Sequence, residues 1–99
     1  MTSAESGSAQ LPAKYELRQN FPNPVNPTTT ISFDIPTRSI VSLKIFDMLG
    51  REVSTLVYGE MQAGRYTRQW NAANLASGVY FYRLSAGSFV QTKKLLLVK

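Results

Sequence analysis

Apolar residues recur at every second position along most of this chain, and no stretch has the three-to-four spacing of an amphipathic helix. Alternation of this kind predicts half-buried β-strands, because successive side chains of a strand point to opposite faces. The residues expected to face the core in the two clearest runs are Ile31, Phe33, Ile35, Val41, Leu43 and Ile45. Ser32 and Asp34 lie between them and are expected to point to solvent.

Turn signals separate these runs at intervals of about 8–12 residues. Asp47-Met-Leu-Gly50 has aspartate at its first position and glycine at its last, the preference of a type I turn. A strand from Arg51 to Tyr58 is expected to run back from it, followed by a loop from Gly59 to Gly64 and a strand from Arg65 to Trp70. With about seven strands in total, the chain is predicted to be all-β, an antiparallel β-sandwich.

The stretch from Gly78 to Lys99 contains two β-rich runs on either side of a small-residue turn, which predicts a β-hairpin. Gly87 can adopt the positive φ that tight reversals often need. The two faces of the first run are expected to carry Tyr80, Tyr82 and Leu84, and Val79, Phe81 and Arg83, respectively. The second run ends in Leu95-Leu-Leu-Val98, which does not alternate, so the sequence leaves its inward phase open.

A proline-rich segment, Gln19 to Thr28, precedes the first long strand and has three prolines within six residues. Each proline fixes its own φ and biases the residue before it toward extended geometry, which excludes a helix or a central strand. The segment is predicted to be a stiff loop with Phe21 as the apolar plug that fastens it to the core. One of its X-Pro bonds is a candidate for the cis form, and the sequence does not say which.

The composition excludes several kinds of catalytic and metal site. The 99 residues include no cysteine and no histidine, so thiolate nucleophiles, disulfides and histidine bases or ligands cannot occur. The six carboxylates are scattered, and a metal site built from Asp34, Asp47 or Glu52 would need several oxygen ligands to converge. Asp47 is interpreted as a turn cap and the other two as solvent-exposed. The chain is therefore predicted not to be an enzyme and to hold no metal or cofactor.

Charge is distributed unevenly along the chain. Residues 1–60 carry five cations and six acids, a net charge of −1, whereas residues 61–99 carry six cations and no acid. Such one-signed charge favours an anionic partner, which could be an acidic protein groove, a lipid or glycan phosphate, or nucleic acid. The alternative is a solvated face that keeps the protein soluble, with Lys93 and Lys94 protecting an edge strand from aggregation.

The first residues are polar and small, and residues 1–14 are expected to be a flexible linker. They contain no signal peptide, and no run approaches the roughly 20 apolar residues of a membrane span. Two hypotheses remain, a cytosolic protein or the end of a longer chain. Residues 15–99 are expected to form the single folded domain.

The aromatic residues support an alternative function. A platform for sugar rings is conceivable from Tyr58, Tyr66, Trp70, Tyr80 and Tyr82. Alternation places most of these rings in the core, with one or two exposed, and Trp70 and Phe33 are expected to occupy the volume that a disulfide fills in many sandwiches. Leu75 and Tyr80 are spaced as in a tyrosine corner. Nucleic-acid binding is disfavoured, because rings committed to a core leave no stacking surface.

Five segments in a fixed order carry a family resemblance. They are Leu17-Arg-Gln-Asn-Phe-Pro-Asn-Pro-Val-Asn-Pro-Thr-Thr-Thr-Ile31, Val41-Ser-Leu-Lys-Ile-Phe-Asp-Met-Leu-Gly-Arg-Glu-Val53, Gly64-Arg-Tyr-Thr-Arg-Gln-Trp70, Leu75-Ala-Ser-Gly-Val-Tyr-Phe-Tyr-Arg-Leu84 and Lys93-Lys-Leu-Leu-Leu-Val-Lys99. Together they resemble the type A C-terminal sorting domain of the type IX (Por) secretion system. The resemblance covers residues 15–99, and its Asn-Phe-Pro-Asn-Pro and Asp-x-x-Gly-Arg motifs are specific in combination.

This resemblance implies a seven-stranded antiparallel immunoglobulin-like β-sandwich at the end of a larger secreted protein. It implies a non-catalytic sorting signal that is read by an outer-membrane translocon after the passenger has crossed the periplasm, with delivery to the outer-membrane surface or the medium. It also implies that residues 1–14 link the domain to a preceding passenger domain, and that a sortase-like surface peptidase, as often in the family, removes the domain and joins the passenger to anionic lipopolysaccharide. Candidate recognition residues are Phe21, Pro22, Asn23, Pro24, Gly78, Tyr80, Lys93, Lys94 and Lys99.

The expected assembly is a monomer or a weak dimer paired through an exposed strand edge, with no nucleic-acid partner. The alternative function is a carbohydrate-binding or structural accessory module of a secreted enzyme.

Overall fold

The computed structural model describes residues 11–99, which fold into antiparallel strands. The seven strands are β1 (Glu16–Leu17), β2 (Thr28–Ile35), β3 (Ser39–Phe46), β4 (Glu52–Met61), β5 (Gly64–Asn71), β6 (Gly78–Ala86) and β7 (Phe89–Leu97). These residues contain no helix, and hence none with the length and apolarity to cross a membrane. Of the expected linker, residues 1–10 lie outside the described part of the chain, and residues 11–14 belong to no strand.

The strands form two sheets, ordered β1-β2-β5 and β4-β3-β6-β7. The first, second and fifth strands share one sheet and the third, sixth and seventh the other, which is the arrangement of immunoglobulin-like sandwiches. The fourth strand extends the second sheet beside β3. The predicted all-β, immunoglobulin-like sandwich is confirmed.

The core between the sheets contains the residues that the alternation placed inward. All six inward residues of β2 and β3 named above are fully buried, as are Tyr82 and Leu84 of β6. Phe33 stacks on Tyr66 with 5.6 Å between ring centroids, and Trp70 packs edge-on against Tyr80 at 5.9 Å. These aromatic pairs fill the volume between the sheets, as expected.

Asp34 differs from its prediction, because it is only 4% exposed. It lies on the outer face of β2, but Arg18, just after β1, covers it. The guanidinium donates two hydrogen bonds to the carboxylate, at 2.8 and 2.6 Å. Chiefly because of these hydrogen bonds, the pKa of Asp34 lies below its usual value. Alternation assigns a residue to a face but does not show what lies over that face.

The turn between β3 and β4 is confirmed. The Gly50 amide donates to the Asp47 carbonyl at 3.0 Å, and the amides of Leu49 and Arg51 donate to Asp47 Oδ1 at 2.9 and 3.0 Å. Asp47 therefore caps the turn, as predicted. The hydrogen bonds to the carboxylate, first of all the one from the Arg51 amide, lower the pKa of Asp47. Glu52 is exposed, also as predicted.

The predicted loop from Gly59 to Gly64 is wrong over most of its length. β4 continues to Met61 and β5 begins at Gly64, so only two residues separate them where the chain crosses between the sheets. Gly59 pairs with Val41 of β3, and Gly64 pairs with the last residue of β2. Glycine is depleted in strands, but cross-strand pairing outweighs that weak local preference here.

The final hairpin and the tyrosine corner are confirmed. Ala86 and Phe89 form the pair next to the turn, and Gly87 has a φ of 58°. The Tyr80 hydroxyl donates to the Ala76 carbonyl at 2.7 Å, which closes the tyrosine corner. The sequence left open which residues of β7 face inward. In the structure these are Leu95 and Leu97, because pairing with β6 turns their side chains toward the core.

Candidate recognition site

The proline-rich segment lies along the outer edge of β7, near its carboxyl end. Val25 and Leu97 form a parallel bridge, in which the Val25 amide donates to the Leu96 carbonyl at 2.7 Å and the Val98 amide donates to the Val25 carbonyl at 2.9 Å. The Leu96 amide donates to Asn23 Oδ1 at 3.1 Å. We call the surface formed by residues 19–27 and 94–98 the proline–β7 junction.

The start of the proline-rich segment is anchored to a buried phenol. The Tyr82 hydroxyl donates to the Arg18 carbonyl at 2.8 Å and accepts from the Asn20 amide at 2.8 Å. Burial raises the pKa of Tyr82 to about 12, which favours the neutral hydroxyl that donates to the carbonyl. The segment is thus fixed to β6 at one end and to β7 at the other.

A buried amide shapes the turn inside the segment. Asn20 is 2% exposed, and its Nδ2 donates to the Pro22 carbonyl and to Thr29 Oγ1, both at 3.1 Å. Thr29 Oγ1 donates to the same Pro22 carbonyl at 2.8 Å. Buried polar groups are costly unless hydrogen-bonded, so this satisfied network specifies one loop shape. The X-Pro bonds preceding Pro22, Pro24 and Pro27 are cis.

The predicted role of Phe21 as an apolar plug is wrong. Its ring is 77% exposed, and Val25, fully buried, fastens the segment to the core instead. The backbone of Phe21 pairs with Thr30 in an isolated antiparallel bridge, and its side chain projects to solvent. Prolines remove the period-2 signal that would distinguish inward from outward residues. Without that signal, the larger side chain, Phe21, was chosen over Val25 as the buried one.

Three other candidate residues lie at the end of the sandwich next to the junction. Gly78 pairs with Leu97, and Tyr80 is buried at 7% exposure. Lys99 Nζ donates to the carbonyls of Ala73 and Leu75, at 2.6 and 2.9 Å. In this arrangement Tyr80 and Lys99 hold the β5–β6 connection against the end of the sheet.

Lys93 and Lys94 lie on opposite faces of β7. Lys94 is exposed and opposite Phe81, whereas Lys93 is half-buried and opposite Tyr82. Among residues 11–99, every salt bridge uses a cation from the first 60 residues, and neither lysine takes part in one. A shallow surface cavity of about 300 Å³ is lined by Asn23, Val79, Lys94, Leu95 and Leu96. The junction therefore combines apolar side chains with an unneutralised cation.

The exposed candidates Phe21, Pro22, Asn23, Pro24 and Lys94 thus belong to the two segments of the junction, and Asn23 and Lys94 line the same cavity. Three residues that hold this surface together were missed by the sequence analysis. They are Gln19, whose Nε2 donates to the Lys94 carbonyl at 2.8 Å, Asn20 and Val25. Asn20 is the first residue of the Asn-Phe-Pro-Asn-Pro motif and Gln19 directly precedes it, so the motif itself was a signal that could have identified both.

The aromatic residues do not form a row of exposed rings. Of the five considered as a sugar platform, Tyr58 is 76% exposed and Tyr66 is half-buried, while Trp70, Tyr80 and Tyr82 are buried. This distribution matches the expectation that most of them belong to the core. It also removes the planar surface that the carbohydrate-binding alternative requires.

The three acidic residues considered as metal ligands, Asp34, Asp47 and Glu52, are engaged in hydrogen bonds and ion pairs with other side chains. Arg18 occupies the Asp34 carboxylate, and Arg51 Nε lies 2.8 Å from Asp47 Oδ2. Glu52 accepts a hydrogen bond from Thr55, which is the main reason that its pKa is lowered. Within residues 11–99, no three acidic side chains converge in a way that could hold a metal ion.

Comparison with known proteins gives one match. A model of the secretion system C-terminal sorting domain family matches residues 19–99. No curated protein and no solved structure matches the chain. The matched region begins at Gln19, the residue that reaches the Lys94 carbonyl, and includes both segments of the proline–β7 junction.

Proposed function

The chain belongs to the secretion system C-terminal sorting domain family, and on that premise we propose that it directs a passenger protein across the outer membrane through the type IX system. The passenger precedes residue 15 and is joined to it by the linker of residues 1–14. In this proposal the domain is a non-catalytic signal, and its partners are the outer-membrane translocon and a sortase-like peptidase. The passenger is either released into the medium or carried to the cell surface, where it is attached to anionic lipopolysaccharide.

The observation that carries this proposal is that the family match spans both segments of the proline–β7 junction. These segments are far apart in sequence, since Asn23 and Leu96 are 73 residues apart, and only the folded sandwich brings them together. A translocon that binds this surface can therefore distinguish a folded domain from an unfolded chain.

The chemistry of the junction suits a partner that is both apolar and acidic. Phe21, Leu96 and Val98 are 77%, 41% and 43% exposed, so three large apolar side chains of the junction face solvent and are available to a partner. Lys94 adds a positive charge beside them. Complementary charge favours correct association and rejects like-charged surfaces.

A pair of exposed aromatic residues provides a matched test. Phe21→Ser is expected to lower the exported fraction of a reporter that precedes this chain, because it removes the largest exposed apolar side chain of the junction. Tyr58→Ser removes a ring of nearly equal exposure, 76% against 77%, on β4 at the other edge of the sheet. It should leave export unchanged.

The measurement is the fraction of reporter found outside the outer membrane of a cell with a type IX system. Both substitutions are at exposed positions, so each should change the free energy of unfolding by no more than about 0.5 kcal/mol. Equal export of the two variants, with both folded, would contradict recognition through the junction.

A further inference from the structure

The outer edge of β7 is covered along only half of its length. In an antiparallel strand, alternate residues direct their amide and carbonyl groups away from the neighbouring strand. In β7 these are Val90, Thr92, Lys94 and Leu96, since the Leu96 amide and carbonyl and the Lys94 carbonyl bond to the proline-rich segment rather than to β6. Within residues 11–99, β7 pairs with no strand except β6, and no other backbone hydrogen bond reaches the outward groups of Val90 and Thr92.

The covered half shows that this edge accepts an added strand. Val25 donates to the Leu96 carbonyl and accepts from the Val98 amide, which is one residue of a parallel ladder. The uncovered half continues the same strand, without a proline or a glycine from Phe89 to Lys93. Its geometry is therefore suited to pairing with a further extended segment.

The charge around the uncovered half favours an acidic partner over a second copy of the chain. Lys93 and Lys94 lie at its end, and within residues 11–99 none of the six cations beyond residue 60 takes part in a salt bridge. A second copy would bring the same lysines to the edge, where like charges repel. An extended segment with aspartate or glutamate would instead neutralise them.

We propose that the uncovered edge of β7, residues 89–93, binds an extended, acidic segment of an export-machinery protein as an added β-strand. This inference rests on the proposed function, because it assigns the partner of the same sorting signal. Main-chain hydrogen bonds to Val90 and Thr92 supply affinity, and carboxylates opposite Lys93 and Lys94 supply specificity. The lysines also prevent the edge from pairing with the same edge of a second copy of the chain.

Thr92→Pro tests strand addition directly. The Thr92 amide points away from β6, so proline removes no hydrogen bond of the β6–β7 ladder, and edge strands tolerate proline at such positions. It does remove the donor that an incoming strand needs. Compared with the control Thr92→Ser, which keeps the amide, Thr92→Pro is expected to lower the exported fraction of a reporter fused before this chain by about tenfold.

The outcomes separate the two proposals when folding is checked by thermal unfolding of each purified variant. Export of folded Thr92→Pro at the level of Thr92→Ser would overturn strand addition and leave the sorting function standing. Failure to export the reporter with the unchanged chain would overturn both. A dimer of the unchanged chain that Thr92→Pro dissociates would show that a second copy occupies the edge, and would overturn the acidic partner.

A second comparison applies if Thr92→Pro fails to fold. Lys93→Glu reverses a half-buried charge within the uncovered edge and outside the junction, and Arg68→Glu makes the same change in net charge at a half-buried position on β5 of the other sheet. The inference predicts a loss of export for folded Lys93→Glu alone. Equal export of these two variants would overturn the acidic partner.

Discussion

Trp70→Ala is expected to lower the free energy of unfolding by about 3–5 kcal/mol, the usual cost of removing a buried aromatic side chain. The indole is 4% exposed and packs edge-on against Tyr80, whose hydroxyl closes the tyrosine corner. Its removal therefore leaves a cavity beside the connection between β5 and β6. Urea denaturation followed by circular dichroism measures the loss.

Tyr58→Ala is the control for this prediction, because it removes an aromatic ring that is 76% exposed. It should change the free energy of unfolding by no more than about 0.5 kcal/mol. If Trp70→Ala cost no more than Tyr58→Ala, the ring would belong to the surface, and the sugar-platform alternative would regain its main residue.

Arg18→Met is expected to destabilise the domain at pH 7 by about 2–3 kcal/mol, because it leaves a buried carboxylate without its partner. Asp34 is 4% exposed and receives both hydrogen bonds of the guanidinium. Arg68→Met is the matched control, since Arg68 takes part in no salt bridge among residues 11–99. Arg68→Met should lower the free energy of unfolding much less than Arg18→Met does.

The same pair predicts a pH dependence. The folded protein lowers the pKa of Asp34, so the stabilisation is present above the unfolded value of about 3.9 and is lost as pH falls through the lowered value. The stability difference between the unchanged chain and Arg18→Met should therefore narrow below about pH 4. Denaturation at a series of pH values measures it, and a difference that stayed constant into acid would contradict a charge-based role for Arg18.

Much of the sandwich could be predicted because local patterns determine it. The alternation in β2 and β3 assigned their inward faces correctly, since one buried face specifies the phase of a strand. In β6 it grouped Tyr80, Tyr82 and Leu84 on one face, which is the buried one. The aspartate and glycine of the β3–β4 turn supply the hydrogen bonds and the positive φ that the turn uses, with Gly50 at 83°. These features depend on residues close together in sequence.

The junction could be predicted only in part, because its contacts join distant segments. The family motifs identified the proline-rich segment and the terminal strand. They did not show that the two segments pair with each other through Val25 and Leu97. Phe21 was assigned inward and Asp34 outward, although the ring is exposed and the carboxylate is covered by Arg18. Which side of a loop is buried, and what lies over an outer face, depends on tertiary packing that one sequence pattern does not contain.

The most direct test of the sorting function is the location of a reporter in a cell with a type IX system. The reporter follows a signal peptide and is compared with and without this chain of 99 residues at its carboxyl end. We predict that only the fusion reaches the surface or the medium, and that it stays in the periplasm when the translocon is inactivated. A fusion that folds but remains in the periplasm of the competent cell would contradict the sorting function.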